Sequence, residues 1–165
     1  MNDGKRYDMN NTLTFTLNTF AFGNGDSIPI PYTCDGENHS PALNWNRPPE
    51  ESLSLALLVE DPDAPSGTFV HWVLYNMVAS CTNLVEAQPI RPSLAGIGTQ
   101  GINDFRRNGY DGPCPPRGKP HRYFFRLYAL DITPNLPVNL TGPQLRKAIA
   151  GHILAAAEWM GTYQR

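Results

Sequence analysis

From Leu13 the chain alternates, with Leu13, Phe15 and Leu17 on one face and Thr14 and Thr16 on the other, which predicts a half-buried strand. Ile28 to Tyr32, interrupted by prolines, predicts an extended edge segment. A short strand follows over Pro41–Trp45, and RPPEE at 47–51 predicts a turn. SLSLALLV, Ser52 to Val59, begins in alternation and ends as a continuous apolar run, as a central strand does. FVHWVLYNM, Phe69 to Met77, is a second such strand, rich in β-branched and aromatic residues. Its alternation predicts Phe69, His71, Val73 and Tyr75 on one face and Val70, Trp72 and Leu74 on the other. From Val78 to Pro116 the periodicity weakens, and a clear strand returns over His121–Asp131. A helix is predicted last. Thr141 and Gln144 form a capping box, and Leu145, Ile149, His152, Ile153 and Ala156 recur at helical spacing until Trp159 and Met160 precede Gly161. Short strands, frequent turns and one late helix predict a mainly β chain: an antiparallel β-sandwich with a C-terminal helix against one side.

Composition narrows the class. At 165 residues the chain predicts a single domain over 13–165, preceded by a polar, flexible extension over 1–12. A net charge of −2, without runs of one sign, excludes nucleic-acid binding driven by bulk charge and leaves room for a small local anion site. Three cysteines (Cys34, Cys81, Cys114) are too few for a disulfide framework and are expected to be reduced. The N-terminus lacks the apolar core of a secretory signal, and no window nears the roughly 18 apolar residues of a membrane span. A soluble, cytoplasmic protein is the expectation.

Three stretches could carry chemistry. GIGTQG, Gly96 to Gly101, has dinucleotide-binding spacing but no strand–helix context, so it reads as loop glycines. DPDAPSG, Asp61 to Gly67, sets two carboxylates two residues apart on a proline-stiffened bend directly after an apolar strand. It is either an Asx-type turn or a rigid mount for a carboxylate that orients His71. GPCPPRGKPHRY, Gly112 to Tyr123, brings four prolines and two glycines up to His121 and Tyr123, which share a strand face with Phe125 and Leu127. Arg122 and Arg126 fall on the opposite face, where solvated or turn-anchoring contacts are expected. Two histidines, a carboxylate and a tyrosine could bind a metal, but metal-ligand spacings are missing, and neither metal nor cofactor is expected. They could serve a nucleophile, yet Ser66 lacks a nucleophile elbow and Cys114 is crowded by prolines. They best suit an anion pocket, because imidazole N–H and phenol O–H groups donate to oxyanions.

With these residues in view, the sequence resembles the phosphatidylethanolamine-binding protein family, also called the Raf kinase inhibitor protein family, in its bacterial branch. LLVEDPDAPSGTFVHWVLYNM (57–77) and GYDGPCPPRGKPHRYFFRLYALD (109–131) carry the likeness, supported by IPIPYTCDGENHSPALNW, GINDF and GHILAAAEWMGTYQR. The resemblance implies a β-sandwich whose small pocket binds phosphate-like anions and phospholipid head groups without catalysis. By motif the pocket would use Asp61, His71, Pro113, Pro115, His121 and Tyr123, with Asp63 and Pro65 shaping the rim. It also implies that kinases or other proteins are possible regulated partners, and a homodimer is compatible with it. A hydrolase using His71 and His121, or an inhibitor of a kinase or protease, are the alternatives. The chain departs from the eukaryotic pattern by a shorter loop after DPDAP, by Phe69 in place of tryptophan, and by a longer GPCPPRGKP. Arg106 stands where bacterial relatives are expected to carry glycine.

Overall fold

The computed structural model describes residues 14–165, so Leu13 and the expected extension over 1–12 lie outside the described residues. Nine strands and one α-helix follow in order: β1 (Leu17–Asn18), β2 (Leu43–Trp45), β3 (Ser54–Asp61), β4 (Phe69–Val78), β5 (Asn83–Leu84), β6 (Ser93–Leu94), β7 (Gly98–Gln100), β8 (His121–Leu130), α1 (Gly142–Ile149) and β9 (Ile153–Tyr163). They form a three-stranded sheet, β1-β2-β5, and a six-stranded sheet, β6-β7-β4-β3-β8-β9. All strand pairings within the two sheets are antiparallel. The expected mainly β sandwich with a late helix is what forms.

β3 is buried along its whole length because both of its faces are covered. Leu55, Leu57 and Val59 join Trp72, Leu74, Phe125, Leu127, Leu17, Leu43 and Trp45 between the sheets. Ala56 and Leu58 join Val70, Val73, Tyr75, Leu145 and Ile149 beneath α1. Each leucine side chain so buried contributes about 1.5–3 kcal/mol, which makes β3 the anchor of both cores.

Four expectations need correction. Ile30–Tyr32 forms a turn of 3-10 helix, because Pro29 and Pro31 remove amide donors and fix φ where an edge strand would need regular pairing. GIGTQG, expected as loop glycines, is more ordered than a loop. Its Gly98–Gln100 forms β7, Gln100 accepts from the Trp72 indole at 2.7 Å, and a Cβ on Gly101 would lie 2.1 Å from the Leu140 carbonyl oxygen. Third, the helix stops at Ile149, and Ile153–Tyr163 is β9, paired with β8 from Leu130↔Ile153 to His121↔Tyr163. Gly151 sits at φ +80°, a left-handed conformation that ends a helix and turns the chain back onto the sheet. The alanine-rich run beyond it satisfies its backbone through long-range pairing, which overrides helical propensity.

The fourth correction concerns β4. Val59 pairs with Trp72 and Glu60 with Val70, so His71 is an extra residue in a β-bulge. Strict alternation therefore fails at His71: Val73 and Tyr75 join Val70 beneath α1, while Trp72 and Leu74 face the opposite sheet. In β8 the pairing with β3 runs without a shift, and the alternation of Tyr123, Phe125 and Leu127 holds.

Gly151→Ala should destabilise the fold by about 1 kcal/mol, the cost of a left-handed alanine. Urea denaturation followed by circular dichroism measures it, and an unchanged midpoint would mean that the turn before β9 does not depend on this glycine.

Candidate functional site

Where β3 ends, β4 begins and β8 begins, the three strands leave a cavity of about 230 Å³. That is below the roughly 300–1,000 Å³ of drug-sized ligand sites, so the cavity has room only for a small group. Its walls are Asp61, Ala64 and Pro65 from the first bend, Phe69 and His71 from β4, and Phe105 from the loop after β7. Cys114, Pro115 and Pro116 from the proline-rich approach, with His121 and Tyr123 from β8, complete it.

The carboxylate on the rigid bend does orient a histidine, although it is His121 rather than His71. Asp61 Oδ2 lies 2.7 Å from His121 Nδ1, and Oδ1 accepts the Asp63 amide at 2.8 Å. Asp63 itself stands outside the cavity wall. It accepts from the Arg122 amide and guanidinium at 2.9 Å, clamping the bend to the first turn of β8. The turn-anchoring part expected of the β8 arginines thus falls to Arg122. That guanidinium holds the Asp63 carboxyl down from 3.8 to about 2.

His71 is 3% exposed and bonds through Nδ1 to the Asp111 carbonyl oxygen at 2.7 Å. Burial lowers its pKa and outweighs the Asp111 carbonyl and the nearby Asp61 and Asp111 carboxylates, which act the other way. Asp111 is held in turn by Asn38, Asn103 and a two-pronged Arg107 contact, each at 2.8–3.0 Å. Aromatic rings surround the imidazole: Phe69 at 5.2 Å, Tyr123 at 5.2 Å and Phe105 at 5.5 Å between centroids.

Tyr123 is 1% exposed, and its hydroxyl has no hydrogen-bond partner among the described residues. Burial, then the Asp61 carboxylate, pushes its pKa well above the ordinary phenol value, so the group stays protonated as a donor. Asp61 acts on the hydroxyl through its charge and, more weakly, as a nearby acceptor that falls short of full hydrogen-bond geometry.

The proline-rich approach is a braced wall. The Pro113 carbonyl accepts the Cys34 amide at 3.1 Å, and the Gly112 amide donates to Asn38 at 2.7 Å. Pro113 is buried behind the wall while Pro115 and Pro116 line it, so of the two prolines expected in the pocket only Pro115 reaches the cavity. A disulfide joins Cys34 to Cys114 across 80 residues of sequence, with the Cα atoms 5.4 Å apart. The expectation of reduced cysteines is therefore corrected: spacing in sequence could not show that the 3-10 turn brings Cys34 against the wall. Cys81 alone is free.

A family model for phosphatidylethanolamine-binding proteins matches residues 18–164. The chain belongs to this family. The phosphatidylethanolamine-binding-protein frame extends across prokaryotic relatives. The UPF0098 protein of Methanothermobacter thermautotrophicus is 47% identical over 149 residues, covering 90% of this chain and 98% of its own. That of Aquifex aeolicus is 46% identical over 147 residues, covering 88% and 85%. Among solved structures, the phosphatidylethanolamine-binding protein homolog CT736 of Chlamydia trachomatis superposes with a TM-score of 0.82 at 40% identity, covering 92% of this chain and 98% of that one. YbcL of Escherichia coli, described as a member of the mammalian family, gives 0.83 at 33% identity over the same shares. No helix among the described residues is long and apolar enough to cross a membrane.

Sequence reasoning missed Phe105 as a wall residue and Cys114 as a structural one. Phe105 is placed by Asn103, whose Oδ1 accepts the Phe105 and Arg107 amides at 2.9 and 3.0 Å. Next to it, Arg106 is exposed at φ +64°, which explains why glycine is the residue expected there.

Two outcomes follow from this bracing. Closing a loop of about 80 residues removes up to about 4.5 kcal/mol of unfolded-state entropy. Cys34→Ser/Cys114→Ser should therefore lower the urea midpoint by the equivalent of about 2–4 kcal/mol, and reductant should then have no further effect. For Asp63, the folded pKa lies below the unfolded one, so its contribution to stability is present above about pH 4 and is lost as pH falls towards 2. NMR titration should find its carboxyl near 2, returning to the ordinary range in Arg122→Gln; an unshifted wild-type carboxyl would contradict the clamp.

Proposed function

We propose that the protein is a non-enzymatic binding module that captures small phosphate-like anions, including phospholipid head groups. The observation that carries this reading is the Tyr123 hydroxyl, a buried donor without a protein partner in the lining of a small preformed cavity. Such a group costs about 1–3 kcal/mol in the fold, a cost that a ligand acceptor offsets. Two imidazoles in the same lining turn their Nε2 edges, which have no protein partner among the described residues, to a ligand's polar groups. The relatives' printed family name, phosphatidylethanolamine-binding, points to the same chemistry. Nucleophilic catalysis has less support: Ser66 lies outside the lining, and the Cys114 sulfur is bonded to Cys34. Regulation of a kinase or another protein would use the same pocket as its input. A cytoplasmic location would expose the Cys34–Cys114 bond to reduction, so the compartment decides whether the wall stays stapled.

Titration with phosphate and phosphoethanolamine, followed by calorimetry or NMR, tests the reading. His71→Ala and His121→Ala should each weaken binding by about 10–100-fold, the worth of one hydrogen bond to a charged group. Tyr123→Phe should bind about tenfold more weakly yet change stability by less than about 1 kcal/mol, because the hydroxyl makes no full hydrogen bond in the empty fold. Full-strength binding in all three variants would sink the assignment.

A further inference from the structure

The hydrogen bonds behind the two pocket histidines fix what each shows to a ligand. His71 Nδ1 meets a backbone carbonyl, which can only accept, so this nitrogen carries the hydrogen. His121 Nδ1 meets a carboxylate oxygen, which also accepts. In its neutral form each ring therefore has a bare lone pair on Nε2. The neutral form is the resting state of His71, whose 3% exposure penalises a charged ring.

The neighbouring carboxylates pull the other way, toward a charged ring, and burial outweighs them. Asp61 and Asp111 face His71, with Arg107 bonded to Asp111 and the Tyr123 phenol beside the ring. His121 is faced by Asp61 and Asp63, flanked by Arg122 and Lys119, and paired across the sheet with Tyr163. Arg122 and Arg107 are each bonded to a carboxylate, so neither is a free cation aimed into the cavity. A fully deprotonated oxyanion entering here would meet the His71 lone pair and the Asp61 charge. An oxyanion carrying a hydroxyl would donate to Nε2 instead, and would accept from Tyr123.

We infer that His71 enters binding as a hydrogen-bond acceptor, so that the pocket selects oxyanions bringing their own proton, hydrogen phosphate and phosphomonoesters, over proton-free ones such as sulfate and phosphodiesters. This rests on the oxyanion reading above and narrows its ligand class. The proton lies between one ligand oxygen and His71 Nε2. Hydrogen phosphate and a monoester monoanion deliver it, whereas a monoester dianion must take it up from the buffer as it binds.

Calorimetry on the full chain, from pH 5 to 8 and in two buffers of different ionisation heat, tests the inference. Phosphate and sulfate share size and shape and differ in the proton. Phosphoethanolamine and glycerophosphoethanolamine share the head group and differ in esterification. Phosphate should bind at least tenfold tighter than sulfate at pH 7, and the monoester at least tenfold tighter than the diester, because a site built around a donated hydrogen rejects a ligand that lacks it. With a second ionisation near 6, phosphoethanolamine should take up about one proton at pH 8 and close to none at pH 5. Sulfate matching phosphate, or no proton uptake at pH 8, would overturn the inference while leaving oxyanion capture standing. A diester that outbinds the monoester would overturn it in favour of an intact lipid head group. If none of the four ligands binds, the oxyanion reading fails and this inference with it.

Discussion

The site depends on β3 being buried on both faces, one under the second sheet and one under α1 and its flanking chain. A strand held that way cannot slip by a residue, since every leucine would exchange one core for the other. Its register with β8 is therefore fixed, and Asp61 emerges at its end beside the first residues of β8. Glu60, one residue earlier, faces the other side, where Arg126 and Arg146 pair with it. Alternation on one strand thus sends one carboxylate to a structural ion cluster and the next to the cavity.

Around that fixed point the cavity is assembled from stiff parts. The Asp61–Gly67 bend is clamped by Arg122, the far wall is stapled by Cys34–Cys114, and His71 is backed by the Asp111, Asn103 and Arg107 cluster. Little of the lining has to move for a small ligand to bind, so the ordering cost is low. Within the lining, the Tyr123 hydroxyl and the Nε2 edges of the two histidines have no hydrogen-bond partner among the described residues. The same stiffness leaves the wall dependent on a disulfide between two exposed cysteines.

Much of this was legible in the chain. Period-two patterns located β3, β4 and β8, the T-x-x-Q box marked the start of α1, and two proline-rich stretches beside His71, His121 and Tyr123 marked the cavity. The structure places Asp61, Pro65, Pro115, Tyr123 and both histidines in the cavity lining, whereas Asp63 and Pro113 support it from outside. Phe105 and the cysteine pair were not legible, since their roles depend on loops that meet only in the folded chain.

Local chemistry sufficed wherever short-range sterics or period decided the outcome: the strand cores, the helix cap, the rigid bends. Tertiary structure decided the rest. It turned Ile153–Tyr163 from a helical pattern into an edge strand, because pairing with β8 satisfies that backbone and Gly151 ends the helix. It bulged β4 at His71, bringing the imidazole against the Asp111 carbonyl rather than the Asp61 carboxylate. It also joined Cys34 to Cys114 across 80 residues. Such contacts are set by the meeting of distant segments, and a sequence window carries no record of which segments meet.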